Sequence, residues 1–165
     1  GPRWAHCVIG VEAGNDIPLF ESIEGDDQTA FPPSPALQQI ATQQQFGGTS
    51  VLLMLGMAGQ NHWSVSVEAE SEKPRVRFDV ACRHPTGSLG DLGSSYRLLA
   101  APTYDGQECR VDMSGHCCVL SAVTVKGHSD ALLERLPDGS AKLHAAVDTS
   151  LTTQRWCYEF EQREG

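Results

Sequence analysis

The sequence predicts a mainly β protein: a single antiparallel β-sandwich or up-and-down barrel of about eight or nine strands, with one short helix at about residues 35–46. Several segments alternate apolar and polar residues with a period of two, as a strand with one buried face does. The 16 Gly and 9 Pro favour turns over long helices. In the C-terminal two-thirds the connectors are too short for crossover helices, so consecutive strands there should pair antiparallel.

Three strands have the cleanest alternation, at residues 62–70, 75–83 and 155–161. Less regular strands are expected at 4–11, 50–56, 95–100, 108–113, 117–125 and 141–148. The aromatic residues of these segments should fill the core, since large apolar side chains dominate protein interiors. The expected core aromatics are Trp4, Trp63, Phe78, Tyr96, Trp156, Tyr158 and Phe160.

The helix is predicted from its ends. Ser34 suits an N-cap, Pro35 suits the first turn, and Gly47 is a natural stop signal. A second segment, 129–136, fits either a helix or the first arm of a strand-turn-strand unit, and the alternation beyond the turn favours the strands. If that segment is helical, the fold class becomes α+β.

Length and charge limit the function. A chain of 165 residues is expected to form one domain over 1–165, with 1–2 a possible tag remnant and 24–35 a surface connector. A strand-like segment begins directly after residue 3, so the chain is expected to be a piece of a longer protein. A net charge of −9, with 12 basic and 21 acidic residues, argues against nucleic-acid and anionic-membrane partners. The longest apolar run, 51–58, has the length of a strand, so the chain is expected to be soluble.

The six cysteines raise the question of a metal site. Zinc sites usually present ligands in pairs such as C-x₂₋₄-C, and the chain has no such pair. Cys82 and His84 could share a strand face and meet His116 or Cys117 if their strands came together, so these four are the metal-ligand candidates. The favoured interpretation is free packing cysteines in a cytoplasmic protein without a cofactor, or an exported protein if the cysteines are paired.

Nucleophilic chemistry has one local candidate, the stretch SGHCCV, in which His116 precedes Cys117 and Cys118. A catalytic cysteine needs a stabilised thiolate and a nearby base. Carboxylates on the polar faces of the predicted strands could serve acid/base chemistry only if that face lined a barrel interior; they are Glu68, Asp79, Glu159 and Glu161. The sequence carries no signature that assigns a catalytic residue.

These patterns favour a non-catalytic binding or interaction module of unidentified ligand, binding a protein partner or, inside a barrel, a small apolar molecule. The Gly-rich loop 85–94 is a candidate binding loop. The alternative is a small Cys/His enzyme or metal-binding protein centred on His116, Cys117 and Cys118.

Overall fold

The computed structural model is an all-β protein made of two antiparallel sheets that pack face to face as a β-sandwich. It describes residues 2–26, 28–46, 49–70, 72–87 and 90–165. The strands are β1 (Cys7–Glu12), β2 (Asn15–Ser22), β3 (Gln39–Phe46), β4 (Thr49–Ala58), β5 (Asn61–Glu70), β6 (Arg75–Arg83), β7 (Gly93–Leu98), β8 (Pro102–Asp105), β9 (Glu108–Met113), β10 (His116–Val123), β11 (Ala131–Arg135), β12 (Ala141–Ala145) and β13 (Thr153–Glu164).

Both sheets are built from distant parts of the chain. The small sheet has the order β1-β2-β7-β12-β11, and the large sheet has the order β3-β4-β5-β6-β13-β10-β9-β8. Each sheet ends in strands that pair on one side only, so the described strands form an open sandwich, and the barrel alternative is wrong. The antiparallel sandwich is confirmed.

The predicted helix at 35–46 is wrong, because residues 39–46 form strand β3. The ladder to β4 begins where the Gln38 amide donates to the Leu55 carbonyl. The Gln38 side chain continues it, since its amide nitrogen donates to the Met57 carbonyl and its oxygen accepts from the Met57 amide. The Ser34 side chain does not cap a helix: its Oγ donates to the Ser95 carbonyl and accepts from the Ser95 amide. The expected helix stop at residue 47 lies outside the described residues.

The structure also has more strands than the eight or nine predicted, since β2, β3 and β8 lie in segments that had no clear alternation. The segment 129–136 contains β11, which pairs with β12, so the strand-turn-strand interpretation is confirmed and the α+β alternative is wrong. Trp4 is also not a core residue: its side chain is half exposed, and its indole nitrogen donates to the Gln38 carbonyl.

Strand β13 lies at the centre of the large sheet and carries the aromatic core. Over residues 153–161 it pairs with β6, and over 157–164 it pairs with β10. Trp156 meets Trp63 edge to face, with ring centroids 6.1 Å apart, and Tyr158 stacks on Phe78 at 5.1 Å. These side chains are almost fully buried. Offset-stacked and edge-to-face contacts each add stabilisation beyond the buried area.

Hydrogen bonds inside the core join the two sheets. The hydroxyls of Tyr96 on the small sheet and Tyr158 on the large sheet are 2.7 Å apart, and His6 Nε2 is 2.8 Å from the Tyr96 hydroxyl. Trp156 donates its indole proton to Ser94 Oγ at 3.2 Å. Buried polar groups without partners are costly, so this network fixes the relative position of the sheets.

A close backbone approach at Gly56 fixes the segment that enters β3. A Cβ built at Gly56 would lie 1.8 Å from the Ala36 carbonyl oxygen. We expect Gly56→Ala to destabilise the protein by about 3 kcal/mol, because rigid backbone must move apart. Urea denaturation measures this change. Gly10→Ala is the matched control, since its nearest neighbour is the flexible Met113 side chain and its expected cost is below about 1 kcal/mol. Equal costs for the two variants would contradict this description.

Stability should depend on pH through His6, whose pKa burial lowers from 6.5 to about 4. The unfolded chain takes up this proton at higher pH than the native protein does. The contribution, about 3 kcal/mol, is therefore complete above about pH 7 and is lost as the pH falls from 6.5 to 4. We expect His6→Gln to lack this part of the pH dependence in urea denaturation at pH 4.5 and 7. Identical pH profiles for the variant and the parent protein would contradict it.

Candidate binding surface

The outward face of the large sheet carries two rows of side chains set by strand register. The first row runs across β4, β5, β6 and β13 as Met57, His62, Arg83 and Thr153. The second row runs across the same strands as Leu55, Ser64, Ala81 and Arg155. We call these eight residues the trough. Directly opposed residues share a face of an antiparallel sheet, so the register alone brings them together.

The trough is concave along its second row, because the side chains on the two middle strands are small there. Ser64 and Ala81 form the floor, and Leu55 and Met57 stand along one side with 42% and 45% of their surface exposed. A cavity of about 470 Å³ lies over the first row, and a second of about 340 Å³ lies over the second row. Two exposed apolar side chains beside a concave floor are typical of a binding surface.

Arg83 differs from Arg155, the other guanidinium of the trough, in its lack of an acidic partner. Within the described residues it has no carboxylate within 4 Å, and His62 lies directly opposite it on β5. Arg155, at the same side of the trough, donates to Asp79 at 3.0 Å, and the same carboxylate accepts from His128 Nε2. The trough therefore contains one guanidinium that is already satisfied and one that is not.

Ion pairs occupy much of the rest of the outward face. Glu159 lies 3.1 Å from Arg77 and 3.6 Å from Arg75, which also pairs with Glu70. Arg163 contacts Glu161 at 2.7 Å. The carboxylates considered for acid/base chemistry thus lie on the outer face of an open sheet, and Asp79, Glu159 and Glu161 form ion pairs with arginines there. Arg83 differs from these arginines, because it has no carboxylate partner among the described residues.

The four metal candidates are not brought together. Cys82 pairs with Gln154 on β13, whereas Cys117 pairs with Arg163, nine residues further along the same strand. At about 3.3 Å per residue these positions are about 30 Å apart. His84 is buried near Gln154, with its Nε2 3.4 Å from the side-chain nitrogen. Among the described residues, no three or more His, Cys, Asp and Glu residues are grouped as a metal would need.

The stretch SGHCCV forms the start of β10, where neighbouring residues face opposite sides of the sheet. Cys118 points into the core, while Cys117 is buried on the outer face and the preceding His116 is exposed. No hydrogen bond joins His116 to either thiol in the described part of the chain. Burial raises the pKa of Cys118 to about 12, which disfavours a thiolate. The Cys/His enzyme remains an untested prediction.

The six cysteines are free thiols in the structure. The candidate binding loop 85–94 is described only in part; its Leu92 side chain is buried, and its role stays a prediction. Among the described residues, none forms a helix that is long and apolar enough to cross a membrane.

No family model, curated protein or solved structure matches the chain significantly.

The sequence interpretation did not identify the trough. Alternation places His62 and Arg83 on polar strand faces, but no local pattern indicates that they are neighbours of each other or of Thr153. The available signal was Arg83 at the end of 75–83, whose nearest acidic residue in the sequence, Asp79, is four positions away. Finding the trough also required knowing that β13 lies beside β6.

Thiol reactivity tests the assignment of the cysteines. We expect iodoacetamide at pH 7.5 to modify Cys7 first, because it is the one exposed cysteine. The other five should react only on unfolding, since burial protects them and raises the pKa of Cys82 to about 12 and that of Cys157 to about 11. Mass spectrometry of peptides gives the order. Rapid modification of Cys117 or Cys118 in the native protein would contradict it and favour the enzyme alternative.

Proposed function

We propose that this chain is a non-catalytic binding module, and that its trough holds an extended segment of a protein partner in which a carboxylate lies beside an aliphatic side chain. The observation that carries the proposal is the unpaired Arg83, which lies two strands across the trough from the exposed Leu55 and Met57. A guanidinium presents donors in a planar fork that matches a carboxylate, which explains the acidic group.

The dimensions of the trough support an extended segment. From β4 to β13 it crosses three strand spacings, or about 14 Å. An extended chain advances about 3.3 Å per residue, so about four residues span it. Within that length the acidic side chain would lie over Arg83 and His62, and the aliphatic one would lie against Leu55.

Other ligand classes are less well supported. Bases of single-stranded nucleic acids stack on aromatic side chains, and the aromatic residues Trp63, Phe78, Trp156, Tyr158 and Phe160 of these central strands point into the core. The net charge of −9 also disfavours a polyanion, because many phosphates would be repelled while one carboxylate needs only a local cation.

Selection from a random peptide library displayed on phage tests the proposal. We expect enrichment of peptides that carry Asp or Glu within four residues of Leu, Ile or Val, since about four residues span the trough. For an enriched peptide, Arg83→Gln should weaken binding by at least tenfold, since a charge-assisted hydrogen bond contributes about 1.5–3 kcal/mol. Fluorescence anisotropy measures the change.

Arg97→Gln is the matched control, because it removes the same charge from the small sheet, where Arg97 pairs with Glu21. Its affinity should stay within twofold of the parent protein. Enriched peptides without acidic residues, or equal affinities for Arg83→Gln and Arg97→Gln, would contradict the proposal.

A further inference from the structure

We propose that the chain has a second, separate site: a cleft between the two sheets that binds an aliphatic carboxylate of medium chain length. We call this site the apolar cleft and define it by Val8 and Leu19 of the small sheet and Val76, Met113, Cys118 and Phe160 of the large sheet. It lies beside the edge strand β1 and the turn between β5 and β6, away from the trough.

The walls of the apolar cleft suit a hydrocarbon chain. They come from the inner faces of both sheets, so a guest there would contact the core itself. The Cys118 thiol stays protonated at neutral pH, because burial raises its pKa to about 12, and it therefore acts as an apolar wall group. Cavities lined by apolar side chains take up apolar molecules in preference to water.

The volume of the apolar cleft sets the length of the guest. It measures about 260 Å³, which equals the liquid volume of about nine water molecules. An aliphatic chain of about eight carbons fits this space. Met113 lines the cleft and packs against β1 at Gly10, where an added Cβ would lie 2.4 Å from its sulfur. Met113 therefore reports directly on what occupies the cleft.

Charge at the mouth indicates the head group. Glu70, Lys73 and Arg75 surround the opening. Arg75 is bound by Glu70 and by Glu159, whereas the exposed Lys73 has no carboxylate within 4 Å in the described residues. Lys73 is thus the cation available to a guest whose chain lies inside. A carboxylate at the end of the chain complements it.

Methyl NMR of the whole chain with ¹³C-methyl methionine tests this site, with sodium octanoate as the probe. The three methionines lie in different places: Met113 at the apolar cleft, Met57 in the trough and Met54 in the core. We expect octanoate at pH 7.5 to shift the Met113 signal saturably and to leave the Met57 signal unchanged. The result does not depend on the trough, so each site can fail without the other.

Two variants make the test specific. Lys73→Gln should weaken octanoate binding about tenfold and change 1-octanol binding less than twofold. Ala69→Trp should abolish binding of both, because Ala69 is exposed at the mouth and a large ring there closes it without altering the core. Lys126→Gln, an exposed lysine in the loop after the far end of β10, is the charge control and should bind octanoate as the parent protein does.

An unshifted Met113 signal at saturating octanoate would overturn the proposal. Equal octanoate affinities for Lys73→Gln and Lys126→Gln would overturn the assignment of a carboxylate. Undiminished binding to Ala69→Trp would place the probe elsewhere and also contradict the site.

Discussion

The pairing of β13 with β6 on one side and β10 on the other is the constraint on which the rest of the structure depends. It joins the end of the chain to segments about 40 and 80 residues earlier, and loop closure makes such long-range pairing entropically costly. The stacking of Tyr158 on Phe78 and the packing of Trp156 against Trp63 offset that cost on the inner face. The hydrogen bond between the hydroxyls of Tyr96 and Tyr158 then joins the small sheet to the same strand.

The same register organises the outer face. Because Thr153 lies opposite Arg83, and Arg155 opposite Ala81, β13 completes both rows of the trough that β4, β5 and β6 begin. Further along the strand, alternating charges neutralise one another, as Glu159 does between Arg75 and Arg77. The fold thus places an unpaired guanidinium and exposed aliphatic side chains at one end of a face on which the neighbouring arginines form ion pairs.

Much of the sandwich could be predicted from alternation, because strands with one buried face record that burial in every second residue. The segments 62–70, 75–83 and 155–161 all form strands. The structure of segment 35–46 could not be predicted in this way, since its Gln-rich sequence fits a solvated helix as well as a strand. Pairing with β4 decides in favour of the strand. The trough could not be predicted either, because adjacency of Arg83 and Thr153 is a property of strand order, which no local pattern encodes.

Native-state hydrogen exchange tests the central role of β13 most directly. Amides of β6, β10 and β13 should exchange most slowly and only through global unfolding, so their exchange free energies should equal the unfolding free energy from urea denaturation. The edge strands β1, β3, β8 and β11 should exchange faster by local opening. If β13 amides exchanged by local opening, faster than those of β5 or β9, the register of this strand would not be what holds the core and the trough together.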